Sequence, residues 1–204
     1  MPQVDDRRTR RTRSALRRAL VELSLERGYA NLRVDEISER ADVGRATFYA
    51  HFRDKQALYD DVVAALLAEL KERLTPEVRE TGGFTGRPLV ALFQHALDNR
   101  DAYRVVLRGD GDGRALTRLR DDLSEATLRT FERRVEEQGL EPRLDLRVVA
   151  RAWVGEQVAV LTWWLEEEAA PIPLEEVAGM LADLSRFGRM WATGVDPTGA
   201  SSSE

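Results

Sequence analysis

A short segment of this 204-residue sequence combines side chains that can read DNA bases with aromatic residues spaced for burial. Each helical residue turns 100° about the axis, so Phe48 and Phe52 fall on one face and point inward. Arg45 comes first in this segment, where its guanidinium can donate paired hydrogen bonds to a guanine edge. The opposite face is small and polar, and carries Ala46, Thr47, Ala50 and His51. Such a face suits the major groove of DNA.

The other side chains of this segment can contact thymine methyl groups and the phosphate backbone of DNA. The methyl groups of Ala46 and Thr47 can meet thymine methyl groups. Tyr49, His51 and Lys55 offer donors at the margins, where phosphate oxygens lie. The structural alternative for Tyr49 and His51 is that one of them only packs the helical corner. We predict that phosphate contacts set the register on DNA and that the arginine reads the sequence.

The helices around this segment predict a helix-turn-helix over about residues 33–52. A short helix runs from Val34 to Ala41, the turn is Asp42-Val43-Gly44, and the second short helix ends near Phe52. Asp54 is then the predicted N-cap of a longer helix. The second helix of such a motif can enter a major groove, although many helical domains contain the same corner without binding DNA.

Helical periodicity covers almost the whole chain, and no segment alternates long enough to indicate a strand, so we predict an all-α fold. Gly109 to Gly113 alternates glycine with aspartate as a calcium loop does, but the other ligands of that pattern are missing and a helix connection is favoured. Thr75 to Arg87 is predicted as a loop. The other helices are predicted over about Arg10 to Arg27, Pro88 to Leu107 with a break near Asn99, Arg114 to Gln138, Leu144 to Glu167 and Leu174 to Trp191.

Charge is unevenly distributed along the chain. The net charge is −5, with +3 in residues 1–60 and −8 in residues 61–204. Seven arginines in the first eighteen residues, Arg10 and Arg13 among them, oppose only two aspartates. Such a cluster suits a polyphosphate partner, and a solubilising basic arm explains it equally well.

Composition excludes several classes of protein. Without cysteine there is no disulfide scaffold, thiolate metal site or cysteine nucleophile. The apolar stretch Val148 to Leu165 is interrupted by charged residues, and the N-terminus lacks the apolar core of a signal peptide. We predict a cytoplasmic protein with no membrane partner and no metal or cofactor.

Arg10 to Val62 resembles the DNA-binding domain of the TetR/AcrR family of bacterial transcriptional regulators. The family line is an Ile-Ala-x-x-Ala-Gly-Val-Ser turn followed by Thr-Leu-Tyr-x-His-Phe and then a lysine. The matching positions here are Ala41, Val43, Thr47, Tyr49, His51, Phe52 and Lys55. The resemblance implies contacts with operator DNA by Arg45, Ala46, Thr47, Tyr49, His51 and Lys55.

The sequence departs from the family line at two places. Asp42 replaces the turn glycine, which is feasible because aspartate tolerates a positive φ better than most residues. Arg33 replaces the usual threonine cap, so it lacks a capping oxygen but can itself reach a phosphate. Asp35 and Glu36 are then unfavourable on a surface that approaches DNA.

For the C-terminal part the resemblance implies a ligand pocket and a dimer interface. Any one aromatic residue can instead fill the core, and His95 can be an ordinary hydrogen-bonded helix residue. The candidate pocket residues are Phe93, His95, Tyr103, Phe131, Trp153, Gln157, Trp163 and Trp164. The effector is expected to be a small apolar or amphipathic molecule.

The last two predicted helices carry apolar residues on more than one side, which indicates burial on more than one side. We predict that they pair with their copies across a two-fold axis as a four-helix bundle, and a wider intramolecular core is the alternative. The stripes assigned to the interface are Val148, Ala152, Gly155 and Ala159 on one helix and Val177, Leu181, Leu184 and Gly188 on the other.

The predicted function is a dimeric DNA-binding regulator, a repressor of a palindromic operator that a small molecule releases. One alternative is a regulator with no effector. Another is a helical enzyme that uses His95 with Asp98 or Asp101, although no catalytic motif supports it. The predicted domains are a basic arm (1–9), the DNA-binding domain (10–60), the effector and dimerisation domain (61–195) and a flexible tail (196–204).

Overall fold

The computed structural model describes residues 3–81, 87–109, 114–166 and 172–192, and within these ranges the chain is all-α, as predicted. The helices are α1 (Gln3–Arg27), α2 (Val34–Arg40), α3 (Arg45–His51), α4 (Lys55–Thr81), α5 (Arg87–Asp98), α6 (Arg100–Leu107), α7 (Arg114–Gln138), α8 (Leu146–Glu166) and α9 (Leu174–Ala192), with a 3-10 turn at Tyr29–Asn31. Across this part of the chain, no helix is long and apolar enough to cross a membrane.

The structure confirms most predicted helix ends and shows the capping and turn residues that predicted them. Asn99 separates α5 from α6, and the Asp54 carboxylate accepts a hydrogen bond from the backbone N–H of Ala57 at 2.7 Å, as an N-cap does. Gly139 has a φ of 61° after α7, a conformation that glycine adopts without strain. The candidate calcium loop at 110–113 and the tail at 196–204 lie outside the described residues.

Two predicted ends were wrong. The first helix begins at Gln3, so the part of the predicted basic arm that the structure describes is helical. Helix α4 continues through Pro76 to Thr81, where a loop was predicted from Thr75 onwards. A proline inside a helix removes one backbone hydrogen bond and crowds the preceding turn, yet α4 continues past the exposed Pro76.

The described chain forms two compact units. Unit 1 comprises residues 1–69 and 99–122, and unit 2 comprises residues 70–98 and 123–204. This division differs from the predicted domain boundary at residue 60, because α6 and the first part of α7 belong with the N-terminal helices.

Unit 1 is built on α1, which packs against α2, the 3-10 turn and α6. Leu16 and Leu20 are fully buried on its inward face, and Gly28 ends the helix at a φ of 79°. A small apolar cavity in this unit has a volume of about 10 Å³, which is room for about one water molecule. Its lining is Val63, Leu66, Leu67, Tyr103, Val106 and Leu119.

Unit 2 contains α5, α8, α9 and most of α7, and α5 packs against α9. The rings of Phe93 and Trp164 meet edge to face with their centroids 5.4 Å apart. The indole N–H of Trp164 donates to the carbonyl of Ile172 at 2.8 Å, so this large side chain is both buried and hydrogen-bonded. The buried face of α8 consists of Ala150, Val154, Gln157, Val158, Leu161, Trp164 and Leu165.

Candidate nucleic-acid interface

The turn between α2 and α3 depends on Asp42. Its φ is 54°, and it is the one non-glycine residue with a positive φ in the described ranges. The backbone N–H groups of Asp42 and Val43 donate to the carbonyls of Glu39 and Ser38 at 3.1 and 3.0 Å, which closes the turn. The aspartate therefore occupies the left-handed conformation for which the family uses glycine, as predicted.

Helix α3 is anchored by its two aromatic residues. Phe48 is fully buried and Phe52 is 5% exposed, so the predicted inward face is confirmed. The side chains predicted to face DNA remain accessible: Arg45, Ala46, Thr47, Tyr49 and Ala50 are exposed, and His51 is half-buried beside Phe52.

Arg45 is held by neighbours on both short helices. Its NH1 lies 3.0 Å from a carboxylate oxygen of Asp35, and its guanidinium carbon lies 5.8 Å from the centre of the Tyr49 ring. Hydrogen bonding to Tyr49 raises the pKa of Arg45, and the charge of Asp35 raises it further. The arginine is thus a fixed positive charge at the exposed N-terminus of α3.

Glu36 supplies the cap that Arg33 lacks. The side chain of Arg33 accepts no capping hydrogen bond, whereas a carboxylate oxygen of Glu36 accepts the backbone N–H of Arg33 at 2.8 Å. Arg27 binds the other oxygen at 2.6 Å. The backbone hydrogen bond and then Arg27 hold the pKa of Glu36 below its ordinary value of 4.5. Acid therefore weakens this cap as the pH falls through that lowered pKa, and its stabilisation is present above the ordinary value.

A second contact joins α1 to α2. Arg40 donates from NH1 and NH2 to the two carboxylate oxygens of Glu26, both at 2.8 Å, and NH1 also reaches Glu22 at 3.3 Å. Hydrogen bonding to Arg40 lowers the pKa of Glu26. Together with the Phe48 anchor, these pairs fix the helix-turn-helix on α1.

Lys55 makes contacts that the sequence did not predict. Its ammonium donates to the backbone carbonyls of Tyr29, Ala30 and Leu32 at 2.8, 3.3 and 2.8 Å, and it lies 4.4 Å from the centre of the Tyr29 ring. Burial lowers the pKa of Lys55. Since an ammonium has three N–H donors, a phosphate contact at this position requires it to leave a carbonyl.

We expect Lys55→Met to lower the free energy of unfolding by about 1–3 kcal/mol, because charge-assisted hydrogen bonds are removed from three carbonyls. Thermal and urea unfolding measure the effect. Lys71→Met on exposed α4 is the matched control. If unfolding is unchanged while the salt dependence of DNA binding decreases by about one counterion, Lys55 is a phosphate contact and not a support for the turn.

Arg13 also has an internal partner. It forms an ion pair with Asp61, whose other oxygen lies 2.6 Å from Nε of Arg17. Its guanidinium carbon lies 5.1 Å from the centre of the Phe52 ring. Of the other basic residues predicted to contact DNA, Arg10 is exposed and the Arg33 side chain is 79% exposed.

The candidate pocket residues do not share one environment. Tyr103 belongs to unit 1, and Trp163 is 44% exposed on α8. In unit 2, Trp153 is half-buried. The fully or almost fully buried candidates of this unit are Phe93, His95, Phe131, Gln157 and Trp164.

Gln157 is a buried candidate whose side-chain amide is unsatisfied. It is 4% exposed, and neither polar atom of the side chain has a hydrogen-bond partner among the described residues. Arg134 was not among the residues predicted from the sequence; it is 6% exposed in the same unit, and burial lowers its pKa. Its spacing of three residues from Phe131 was the available signal, because the two share one face of α7.

The predicted dimer stripes are accessible on α8 but not on α9. Val148 is 62% exposed, and the small residues that follow it on α8 are also exposed: Ala152, Gly155 and Ala159. On α9, Val177 and Leu181 are each 3% exposed, so the chain itself covers them and leaves almost no surface there for a second copy. Leu184 is half-buried, and Gly188 interrupts the helix with a φ of 85°. Among the described side chains of α9, which end at residue 188, the exposed large apolar ones are Met180 and Phe187.

One carboxylate of the enzyme alternative, Asp98, is engaged by other side chains. The carboxylate of Asp98 accepts hydrogen bonds from Arg73 at 2.7 Å and Gln94 at 2.8 Å, and Arg73 is the main cause of its lowered pKa. Asp101 belongs to unit 1, whereas His95 belongs to unit 2. In the ranges that the structure describes, no group of three or more His, Cys, Asp or Glu could hold a metal ion.

Two family descriptions match the chain. Residues 16–62 match "Bacterial regulatory proteins, tetR family" and residues 84–187 match "Tetracyclin repressor-like, C-terminal domain". A relative in Bacillus subtilis (strain 168), the uncharacterized HTH-type transcriptional regulator YxbF, is 35% identical over 71 residues. That alignment spans 34% of this chain and only 19% of the relative.

Solved structures resemble the whole fold. A TetR-family regulator from Syntrophomonas wolfei superposes with a TM-score of 0.74 at 18% identity, over 91% of this chain and 97% of that one. The regulator FadR from Bacillus subtilis, solved in complex with stearoyl-CoA, has a TM-score of 0.70 at 16% identity, over 86% and 98%. Identities this low show a shared fold. Since the second description alone covers half of the sequence, the chain belongs to the TetR family of bacterial transcriptional regulators.

Proposed function

We propose that the chain is a repressor that binds a palindromic operator as a homodimer and that a small amphipathic molecule releases it. The observation that carries the DNA-binding part is the exposed face of α3, with Arg45 at its N-terminus and both phenylalanines buried behind it. Two copies related by a two-fold axis present two such helices to successive major grooves, which matches a palindromic site. A DNA-binding regulator of a bacterial chromosome works in the cytoplasm.

Selection of bound fragments from the host genome with purified protein at near-physiological salt tests this proposal. We expect enrichment of a palindrome beside a small set of promoters. Failure to enrich any sequence, with folded protein, would refute sequence-specific binding. An enriched motif without two-fold symmetry would refute the dimeric mode.

The homodimer part is supported by the exposed apolar surface of the last two helices. Val148 and Trp163 on α8 and Met180 and Phe187 on α9 are large apolar side chains that are 44–62% exposed. The exposed small residues of α8 permit close approach of a second helix. We therefore place the α9 part of the interface at Met180 and Phe187 rather than at the buried Val177 and Leu181.

We expect the protein to have twice the chain mass of 23.1 kDa at low micromolar concentration, and Val148→Arg to shift it to a monomer. A charge placed in an apolar interface is left without a partner, which disfavours association. Analytical ultracentrifugation measures the mass. Leu97→Arg, the same change at an exposed position of α5, is the control. A wild-type monomer, or a dimer that persists in the Val148 variant, contradicts this interface.

The effector part is supported by the unsatisfied amide of Gln157. A buried polar group without a partner costs about 1–3 kcal/mol, so a native structure needs a reason to keep one. A ligand with both an apolar body and a polar group accounts for it, because the surrounding face of α8 is otherwise apolar. Since the related FadR binds stearoyl-CoA, long-chain acyl-CoA is the first class to test.

A further inference from the structure

An acidic residue lies next to the arginine that we expect to read bases. Asp35 is the second residue of α2, and its side chain is 57% exposed. Its two carboxylate oxygens lie 3.0 and 3.2 Å from NH1 of Arg45, on the exposed N-terminus of α3. A carboxylate on this surface repels DNA phosphates, so its presence needs an explanation that DNA affinity does not provide.

We propose that Asp35 is a positioning residue that raises the sequence specificity of DNA binding by holding Arg45 in its base-reading orientation. This inference rests on the proposed function, since it requires that α3 enters the major groove. Glu36, the neighbouring acid, is already explained by its capping hydrogen bond to the backbone of Arg33. Asp35 has no such role, because its described contact is with the arginine of the other short helix.

The geometry allows Arg45 to keep Asp35 while it binds a base. A guanidinium has five N–H donors in a planar fork, and the carboxylate uses only the NH1 end of it. The rest of the fork can still donate to guanine. Tyr49 is a second neighbour, with its ring centre 5.8 Å from the guanidinium carbon. An arginine held by a carboxylate and a ring loses less conformational freedom on binding than a free one.

The negative charge of Asp35 also raises the sequence specificity of DNA binding. Specificity is a difference between affinities, and it increases when the wrong partner is penalised. On unrelated DNA a free Arg45 can turn to the nearest phosphate, whereas an arginine paired with Asp35 must first give up that partner. Asp35 itself adds repulsion to any phosphate-only contact. The pair therefore weakens non-specific binding more than specific binding.

Asp35→Asn tests the inference, because asparagine keeps the size of the side chain and removes its charge. The probes are a duplex carrying the operator selected above and a scrambled duplex of equal length. We expect the ratio of the two dissociation constants to fall roughly 10-fold, with tighter binding to the scrambled duplex and a salt dependence steeper by about one counterion per protomer. Thermal unfolding checks that the variant is folded.

Two controls separate this role from general electrostatics. Glu39→Gln removes one negative charge from the exposed surface of the same helix, one turn further on, without touching Arg45. It is expected to leave the ratio within about two-fold. In an Arg45→Ala background, Asp35→Asn is expected to have no effect on the ratio, because the residue it positions is absent.

The outcomes separate the two proposals. The positioning role is overturned if Asp35→Asn leaves the ratio of the two dissociation constants unchanged. It is also overturned if Glu39→Gln lowers that ratio equally, or if Asp35→Asn lowers it equally in the Arg45→Ala background. Each of these outcomes leaves the repressor proposal standing. If no sequence is enriched in the genomic selection, the repressor proposal and this inference both fail.

Discussion

Arg45→Ala is expected to remove most of the sequence discrimination of this protein while leaving its fold unchanged. A bidentate arginine contact to guanine contributes about 1–3 kcal/mol of discrimination, and a dimer uses it twice. The ratio of operator to scrambled-duplex affinity is therefore expected to fall by roughly 30-fold or more. Because the side chain is 63% exposed, the unfolding temperature should change little. Fluorescence anisotropy on the two duplexes measures the ratio.

Arg45→Lys is the matched variant for this experiment, because lysine keeps the charge but not the planar fork. We expect it to bind the scrambled duplex as wild type does and to lose discrimination almost as fully as alanine. If Arg45→Lys keeps full discrimination, the residue acts as a point charge on a phosphate. If Arg45→Ala weakens both duplexes equally, it does not read bases at all.

Gln157→Met is expected to stabilise the ligand-free protein and to abolish its response to the effector. Methionine has a similar unbranched shape but no polar atoms that need hydrogen bonds, so the cost of the unsatisfied amide disappears. The gain is about 1–3 kcal/mol. Stearoyl-CoA is the probe, with free coenzyme A as the ligand control. Wild type should show a concentration-dependent rise in unfolding temperature and weaker operator binding, and the variant should show neither.

Gln138→Met, at the exposed end of α7, controls for the general effect of adding a methionine. A Gln157 variant that is less stable than wild type would show that the amide is satisfied in solution. A more stable variant that still responds to stearoyl-CoA would show that Gln157 does not contact this ligand. No response in wild type would exclude this acyl-CoA and favour a regulator with a different effector or with none.

Local sequence rules predicted the helix-turn-helix closely. The 100° spacing placed Phe48 and Phe52 in the core, and both are buried. A break was predicted at Asp42-Val43-Gly44, with a positive φ feasible at Asp42 in place of the family's glycine, and the value is 54°. These predictions succeeded because periodicity, caps and turns depend on residues within about four positions of each other.

The same rules failed where a residue's neighbour comes from elsewhere in the chain. The apolar stripe of Val177 and Leu181 was visible in the sequence, but periodicity does not say whether the same chain or a second copy covers it, and here it is the same chain. Trp163 and Trp164 are adjacent and chemically identical, yet only Trp164 is buried. An apolar pattern predicts burial, whereas the packing of distant helices decides which surface provides it.

Charged side chains show most directly what the sequence alone could not predict. Composition and motif identified a basic N-terminal region that suits DNA, and they identified Arg45, Arg13 and Lys55 within it. The partners of these residues depend on the tertiary structure. Arg45 pairs with Asp35, Arg13 pairs with Asp61, and Lys55 donates to three backbone carbonyls. Long cationic side chains reach acceptors far away in sequence. The sequence therefore determined which cationic side chains are present in this region. Only the tertiary structure, which places their partners, decides which of them are free to contact DNA and which support the fold.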